Sequence, residues 1–221
     1  MLGREPEGLD PATLPSAADV VRGWAAQLDR GLRVELPDDV AGTADAARAA
    51  LLLRTGSRRR PAPGEVAALE DWGFDAEAVA AWRRLHLGGR RQAARRPRRP
   101  GRWAPVAAWL GRRSPTRSWP EGPAGFLLDL RALLVRDAPD GEVHLMGELP
   151  PGWAGAGLGV RGAPTRRGLV SYAIRWHGDR PALLWEVDGP GAVLRAPGLD
   201  PAWVSDARRG EALLAPVPAT R

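Results

Sequence analysis

The sequence predicts an α+β protein. An N-terminal Ala-rich helical segment leads through a basic linker to one amphipathic helix and a C-terminal antiparallel β-sandwich-like domain. Three observations predict it. Before residue 88, apolar residues recur at helical spacing. Residues 83–117 contain twelve Arg, with no Asp or Glu between Glu77 and Glu121. After residue 140 the apolar period shortens to two, and Gly/Pro turns separate the runs. The expected divisions are residues 1–87, 88–122 and 123–221.

Residues 1–15 are rich in Pro, Gly and Glu and are expected to be irregular. Ser16 followed by Asp19 reads as an N-cap with a capping box. Ala17, Val21, Trp24 and Leu28 then share one helical face, and Gly31 closes the helix. Residues 32–36 read as extended. A second helix over residues 38–53 carries Val40, Ala44, Ala47 and Leu51. A third carries Val66, Leu69 and Trp72, and a fourth starts at an Asp75 cap and carries Val79, Trp82 and Leu85. Residues 88–102 include RRPRRPGR, whose prolines interrupt a helix, so a mobile basic linker is expected there. Phe126, Leu127, Leu130, Leu133 and Leu134 mark the face of the next helix, with Asp129 and Arg131 opposite and Arg136 near its C-terminal end. About six strands follow, at residues 142–145, 158–162, 169–176, 182–187, 193–196 and 211–214. The clearest alternates Val170, Tyr172, Ile174 and Trp176 with Ser171, Ala173 and Arg175. His177-Gly178-Asp179 turns it back as a hairpin.

Composition excludes several chemistries. Every basic residue is Arg, and Lys, Asn and Cys do not occur. A GC-rich genome accounts for this usage. Without Lys there is no Walker-type lysine and no Schiff base. Without Cys there is no disulfide, thiolate metal site or cysteine nucleophile. The three His are widely spaced, so no metal and no cofactor is expected. The N-terminus lacks a secretory core, and no apolar run reaches membrane-spanning length. A protein without membrane contact, in the cytoplasm, is the expectation.

The Arg cluster, above all Arg90, Arg91, Arg95, Arg96, Arg98 and Arg99, reads either as a nonspecific polyanion site or as a solvated linker. Among ten Trp, Trp24, Trp82, Trp176 and Trp185 fall at apolar-periodic positions expected in the core. Trp119 and Trp153 lie beside Pro and Gly and are the candidates for stacking on sugar rings, set against plain packing. GAGLG at residues 155–159 follows no strand and precedes no helix, so it reads as a loop. Glu121, in SPTRSWPEG, is the one carboxylate in a suggestive setting.

The run FLLDLRALLV, LPPGW, GVRGAPTRRGLVSYAIRWHGDRPALLWEV and LRAPGLDPAW resembles the end of the six-hairpin glycosidases, as in bacterial α-L-rhamnosidase and glucoamylase-like enzymes. There the last barrel helix hands over to an antiparallel β-domain. SPTRSWPEG is similar to a late barrel segment of such proteins, although the Gly-rich stretch that follows it there is missing. VELPDDVAGTADAARAALLL is similar to a helical segment leading into their barrels. The resemblance implies a carbohydrate context, with Trp119, Glu121 and Trp153 as candidate sugar contacts. The chain has too few helices for the barrel, and the basic linker stands where the barrel belongs. A shortened, fragmentary or frame-disrupted relative is therefore implied, and no catalytic residue is carried over. The leading reading is a non-catalytic, carbohydrate-associated remnant. The alternatives are an active carbohydrate enzyme completed by oligomerisation and an Arg-rich polyanion or nucleic-acid binder.

Overall fold

The computed structural model describes residues 14–85, 122–138 and 140–217, with Asp38 and Asp39 described by backbone alone. Five helices are described: α1 (Ala17–Leu28), α2 (Asp38–Gly56), α3 (Pro63–Asp71), α4 (Asp75–Arg84) and α5 (Gly122–Leu134). The strands are β1 (Arg33–Glu35), β2 (Val135–Asp137), β3 (Val143–Leu145), β4 (Leu158–Thr165), β5 (Gly168–His177), β6 (Arg180–Asp188), β7 (Leu194–Ala196), β8 (Asp200–Ser205) and β9 (Arg209–Leu213). The protein is α+β, with a C-terminal β-domain, as its residue patterns predict.

The helix signals act locally as expected. Ser16 caps α1 through the Asp19 N–H, and Asp19 returns a bond to the Ser16 N–H. The Ser16 hydroxyl, donating to Asp19 Oδ2 at 2.6 Å, and then the Ser16 N–H hold the Asp19 carboxyl below its ordinary pKa. The stripe Val40, Ala44, Ala47 and Leu51 is wholly buried on α2. At the start of α3, Glu65 reaches back to the Ala62 N–H at 2.7 Å. Two faces differ from the sequence reading. No residue of α1 is buried, and Val21 is exposed although it lies on the expected stripe. On α4 the buried residues are Ala78 and Ala81, while Val79 faces solvent. The α4 cap position is Phe74, which has no side-chain oxygen to bond, and Asp75 is already helical.

The five-stranded sheet has the order β1-β4-β5-β6-β9 and is antiparallel throughout. Val170, Tyr172, Ile174 and their partners Val187, Trp185 and Leu183 form its inner face. A two-residue turn, Gly178-Asp179, joins β5 to β6. The second sheet has the order β2-β3-β7-β8, and its β3–β7 pair is parallel, so it is mixed rather than antiparallel. β1 was expected only as an extended piece. It pairs with β4, Val34 opposite Val160, so a strand from the N-terminal third completes a C-terminal sheet.

Helix α5 joins the layers. Phe126, Leu127, Leu130, Leu133 and Leu134 are buried in one continuous apolar cluster shared by the helices and both sheets. The helix runs into β2 without a loop because its last carbonyls find tertiary donors. Met146 N–H donates to Leu134 O, Gly147 N–H to Leu133 O, and Tyr172 Oη–H to Leu134 O at 2.8 Å. Trp72 Nε1 donates to Leu127 O at 2.9 Å. Arg131, expected on the solvent side, is buried. Its guanidinium donates to the carbonyls of Asp71, Val135 and Pro164, which belong to α3, β2 and β4. The sequence reading set Arg131 opposite the leucine face. The three waiting carbonyls are what bring it in. Arg136, read as a helix-end charge, lies in β2.

Trp185 and Trp72 are in the core, whereas Trp24, Trp82 and Trp176 are half-buried. Trp176 keeps one edge outward and donates from Nε1 to Ala156 O.

Replacing Arg131 by Met should cost about 3–5 kcal/mol in urea unfolding, since it strands several buried carbonyls. Arg131→Lys should recover little of this, because one ammonium cannot span three directions. A loss under about 1 kcal/mol for both variants would contradict the joining role.

Candidate functional site

Four turns meet at one end of the β-domain. They are the β2–β3 turn with Asp140-Gly141, the β4–β5 turn with Arg166-Arg167, the β6–β7 loop over residues 189–193, and the β8–β9 turn with Asp206. Each is built by turn chemistry. Asp140 Oδ1 accepts from Glu142 N–H, and Gly141 takes a positive φ of 89°. The β4–β5 and β6–β7 turns touch backbone to backbone. A Cβ on Gly168 would lie 2.1 Å from Asp188 O, and one on Gly189 would lie 2.3 Å from Arg167 O. Both glycines also hold positive φ, so no other residue fits this closure. Asp137 Oδ1 accepts from Arg166 N–H at 2.9 Å and fixes the β4–β5 turn to β2.

The result is an open cleft of about 320 Å³. Asp140, Glu142 and Asp206 bring carboxylates to it, and Arg167 brings a guanidinium. Gly141, Pro190, Gly191, Ala192 and Val193 supply the rest of its lining. Arg167 Nη2 lies against Gly141, and the Arg208 side chain passes beside Gly191.

A polar row runs from this cleft across the second sheet. Arg136 and His144 are cross-strand partners, and His144 pairs in turn with Arg195. Arg195 Nε donates to Glu142 Oε2 at 2.6 Å. Arg136 Nη2 lies 2.8 Å from His144 Nδ1. A guanidinium only donates, so Nδ1 is the acceptor and the neutral ring carries its proton on Nε2, toward Glu142 Oε2 at 3.6 Å. Burial, then the Arg136 charge, lowers the His144 pKa below its ordinary value, against the opposing pull of Glu142 and Asp140. The Glu142 partner raises the Arg195 pKa.

Of the expected site residues only Trp153 is described, and it does not line the cleft. Trp119, Glu121 and Arg90, Arg91, Arg95, Arg96, Arg98 and Arg99 lie outside the described residues. Trp153 is not an open stacking platform. It is 3% exposed and belongs to the apolar core. Pro37, Met146, Leu149, Leu158, Ile174 and Trp176 close around it and leave no volume for a ligand. Residues 155–157 form a loop, as read, and Leu158 and Gly159 begin β4. Among the described residues no group of three or more His, Asp or Glu side chains is placed to hold a metal ion, and no helix is long and apolar enough to cross a membrane.

Comparison with protein-family models, curated proteins and solved structures finds no match to this chain.

The cleft residues carried a sequence signal only as turns, in PDG at residues 139–141 and DGPG at residues 188–191. Their convergence depends on which strands pair, and β2 and β8 had not been foreseen.

The sign of the His144 effect follows from its lowered pKa. An unfolded chain protonates this ring near pH 6.5, and the fold resists protonation until lower pH. Between those values the unfolded state holds the extra proton. Stability should therefore fall as pH drops below about 6.5 and level off below the folded value. Urea unfolding of wild type and His144→Gln at pH 7.5 and 5 should show a smaller decline for the variant. Equal declines would place the ring outside the row described.

Proposed function

We propose that this protein is a non-catalytic, carbohydrate-associated binding protein that engages saccharide hydroxyls in the four-turn cleft. One observation carries the reading. An opening of about 320 Å³ brings Asp140, Glu142 and Asp206 together with Arg167 over a floor of glycine and proline. That volume lies at the small end of ligand sites and suits one or two sugar rings. Carboxylate oxygens accept from paired hydroxyls, and a guanidinium donates to the hydroxyl oxygens that remain.

The same geometry favours binding over hydrolysis. A glycosidase needs a carboxyl that donates a proton, commonly in apolar surroundings, facing a second carboxylate across the sugar. Glu142 instead gives Oε2 to the Arg195 guanidinium. Among the described residues no aromatic side chain lines the cleft. Without a stacking face, affinity for a monosaccharide should be weak, on the order of 1 mM, which corresponds to about −4 kcal/mol. The resemblance to six-hairpin glycosidases supports a carbohydrate ligand. It belongs to the same reading as descent from a longer enzyme.

The test is amide NMR during titration with rhamnose, glucose and their disaccharides. Shifts should gather at residues 140–142, 167, 189, 191–193 and 206, and Asp206→Ala with Arg167→Ala should remove them. Aryl glycosides should remain intact. Shifts centred elsewhere, or none at about 50 mM sugar, would refute the cleft. Glycoside turnover lost on Glu142→Gln would replace binding with catalysis.

A further inference from the structure

Strand β9 borders the five-stranded sheet, with only β6 beside it among the described residues. Arg209, Gly210, Glu211 and Leu213 are exposed. The hydrogen-bond phase decides what this edge offers. Val187 N–H donates to Arg208 O, and Leu214 N–H donates to Pro181 O. Between them, Gly210 stands opposite Trp185 and Ala212 opposite Leu183. Antiparallel pairing alternates, so residues 208, 210, 212 and 214 turn their backbone groups to β6. Arg209, Glu211 and Leu213 turn theirs to the open edge.

We propose that this edge joins a second copy of the chain, β9 to β9 antiparallel, about a two-fold axis at Gly210. The register follows from charge. An axis at Gly210 sets Arg209 opposite Glu211 of the other copy, and does so twice by symmetry. Both residues are among those with outward backbone groups, so each pair exchanges two backbone hydrogen bonds as well as matching charge. An axis at Glu211 would instead set two carboxylates face to face. Leu213, whose carbonyl already receives Arg180 Nη2 at 3.4 Å, lies beyond the Arg209–Glu211 pairs.

The residue on the axis is suited to its place. Gly210 has no side chain, and the Trp185 ring fills the space a Cβ would take, 2.6 Å from Cζ2. Two copies therefore meet there without a side-chain collision. On the outer face, Leu184 lies opposite Glu211 and is exposed, as is Leu213. The interface is isologous, so it closes at two copies and leaves no further β9 edge to extend.

The experiment is sedimentation equilibrium and light scattering of the full chain from about 5 to 200 µM. Wild type should approach twice the 23.7 kDa chain mass. Glu211→Pro removes an N–H that points away from β6, so it should give a monomer with unchanged far-UV circular dichroism. Arg209→Glu should also give a monomer, because it sets Glu against Glu. The double exchange Arg209→Glu with Glu211→Arg should restore the dimer. A wild-type monomer throughout the range overturns the proposal. A dimer that survives Arg209→Glu overturns it equally, as does a folded double exchange that stays monomeric.

Discussion

The Arg131 guanidinium donates to three backbone carbonyls in segments remote from one another. Burying such a charge is costly, and the cost is offset only when its donors are engaged. Each carbonyl it reaches ends or bends an element: Asp71 closes α3, Val135 opens β2, and Pro164 nears the end of β4. The helical layer, the small sheet and the large sheet thus share one donor. Trp72 and Tyr172 add single bonds to the same helix, at Leu127 and Leu134. The four-turn cleft inherits its placement from this junction, because β2 leaves α5 at Val135 and the β4–β5 turn docks on β2 at Asp137.

Arginine serves elsewhere as a cap for exposed carbonyls. Arg84 donates to Ser57 O at 2.7 Å and to Thr55 O, closing the end of α2 from a distant helix. Arg48 donates to Leu28 O at the end of α1 and lies 5.5 Å from the Trp72 ring and 5.7 Å from Phe74. Burial lowers its pKa, with Asp45 opposing. Arg180 donates to Leu214 O past the end of β9. A planar fork with several donors fits such tasks better than an ammonium. An arginine-only composition, whatever its genomic origin, has here become part of how the chain satisfies its backbone. Glu65 answers from the other side. Burial would raise its pKa, yet the Ala62 N–H, Arg54 and Arg59 together bring it below the ordinary value.

Period and turn chemistry made the long elements legible. The α2 and α5 stripes and the β5–β6 hairpin stand where the residues put them, because each buries one face along its whole length. The short strands β3 and β7 were legible from the turns beside them, but β2 and β8 were not. Val135–Asp137 offers three residues directly behind a helix, with no turn to announce a change. Asp200–Ser205 carries a proline and buries little. Trp153 looked like a loop residue from its neighbours, and only tertiary packing decides that it is enclosed. Arg131 was misplaced for the same reason, since its partners are backbone atoms with no signature in sequence. For the cleft, each turn could be read singly, but the pairing that gathers four of them at one end could not.

The pairing of β1 with β4 sets a timetable for synthesis. Val34 leaves the ribosome long before its partner Val160. At roughly 5–20 residues per second, the interval is on the order of ten seconds. During it the helices around Val40–Leu51 can collapse locally, while β1 waits with unpaired backbone groups on both sides. The large loop that finally closes carries an entropic cost that grows only slowly with length, so the delay is one of order more than of energy. A nascent chain halted before residue 158 would hold an exposed strand with nothing to receive it, a natural target for chaperones that bind extended segments. Strand β1 thus finds its partner only on the arrival of a strand made much later.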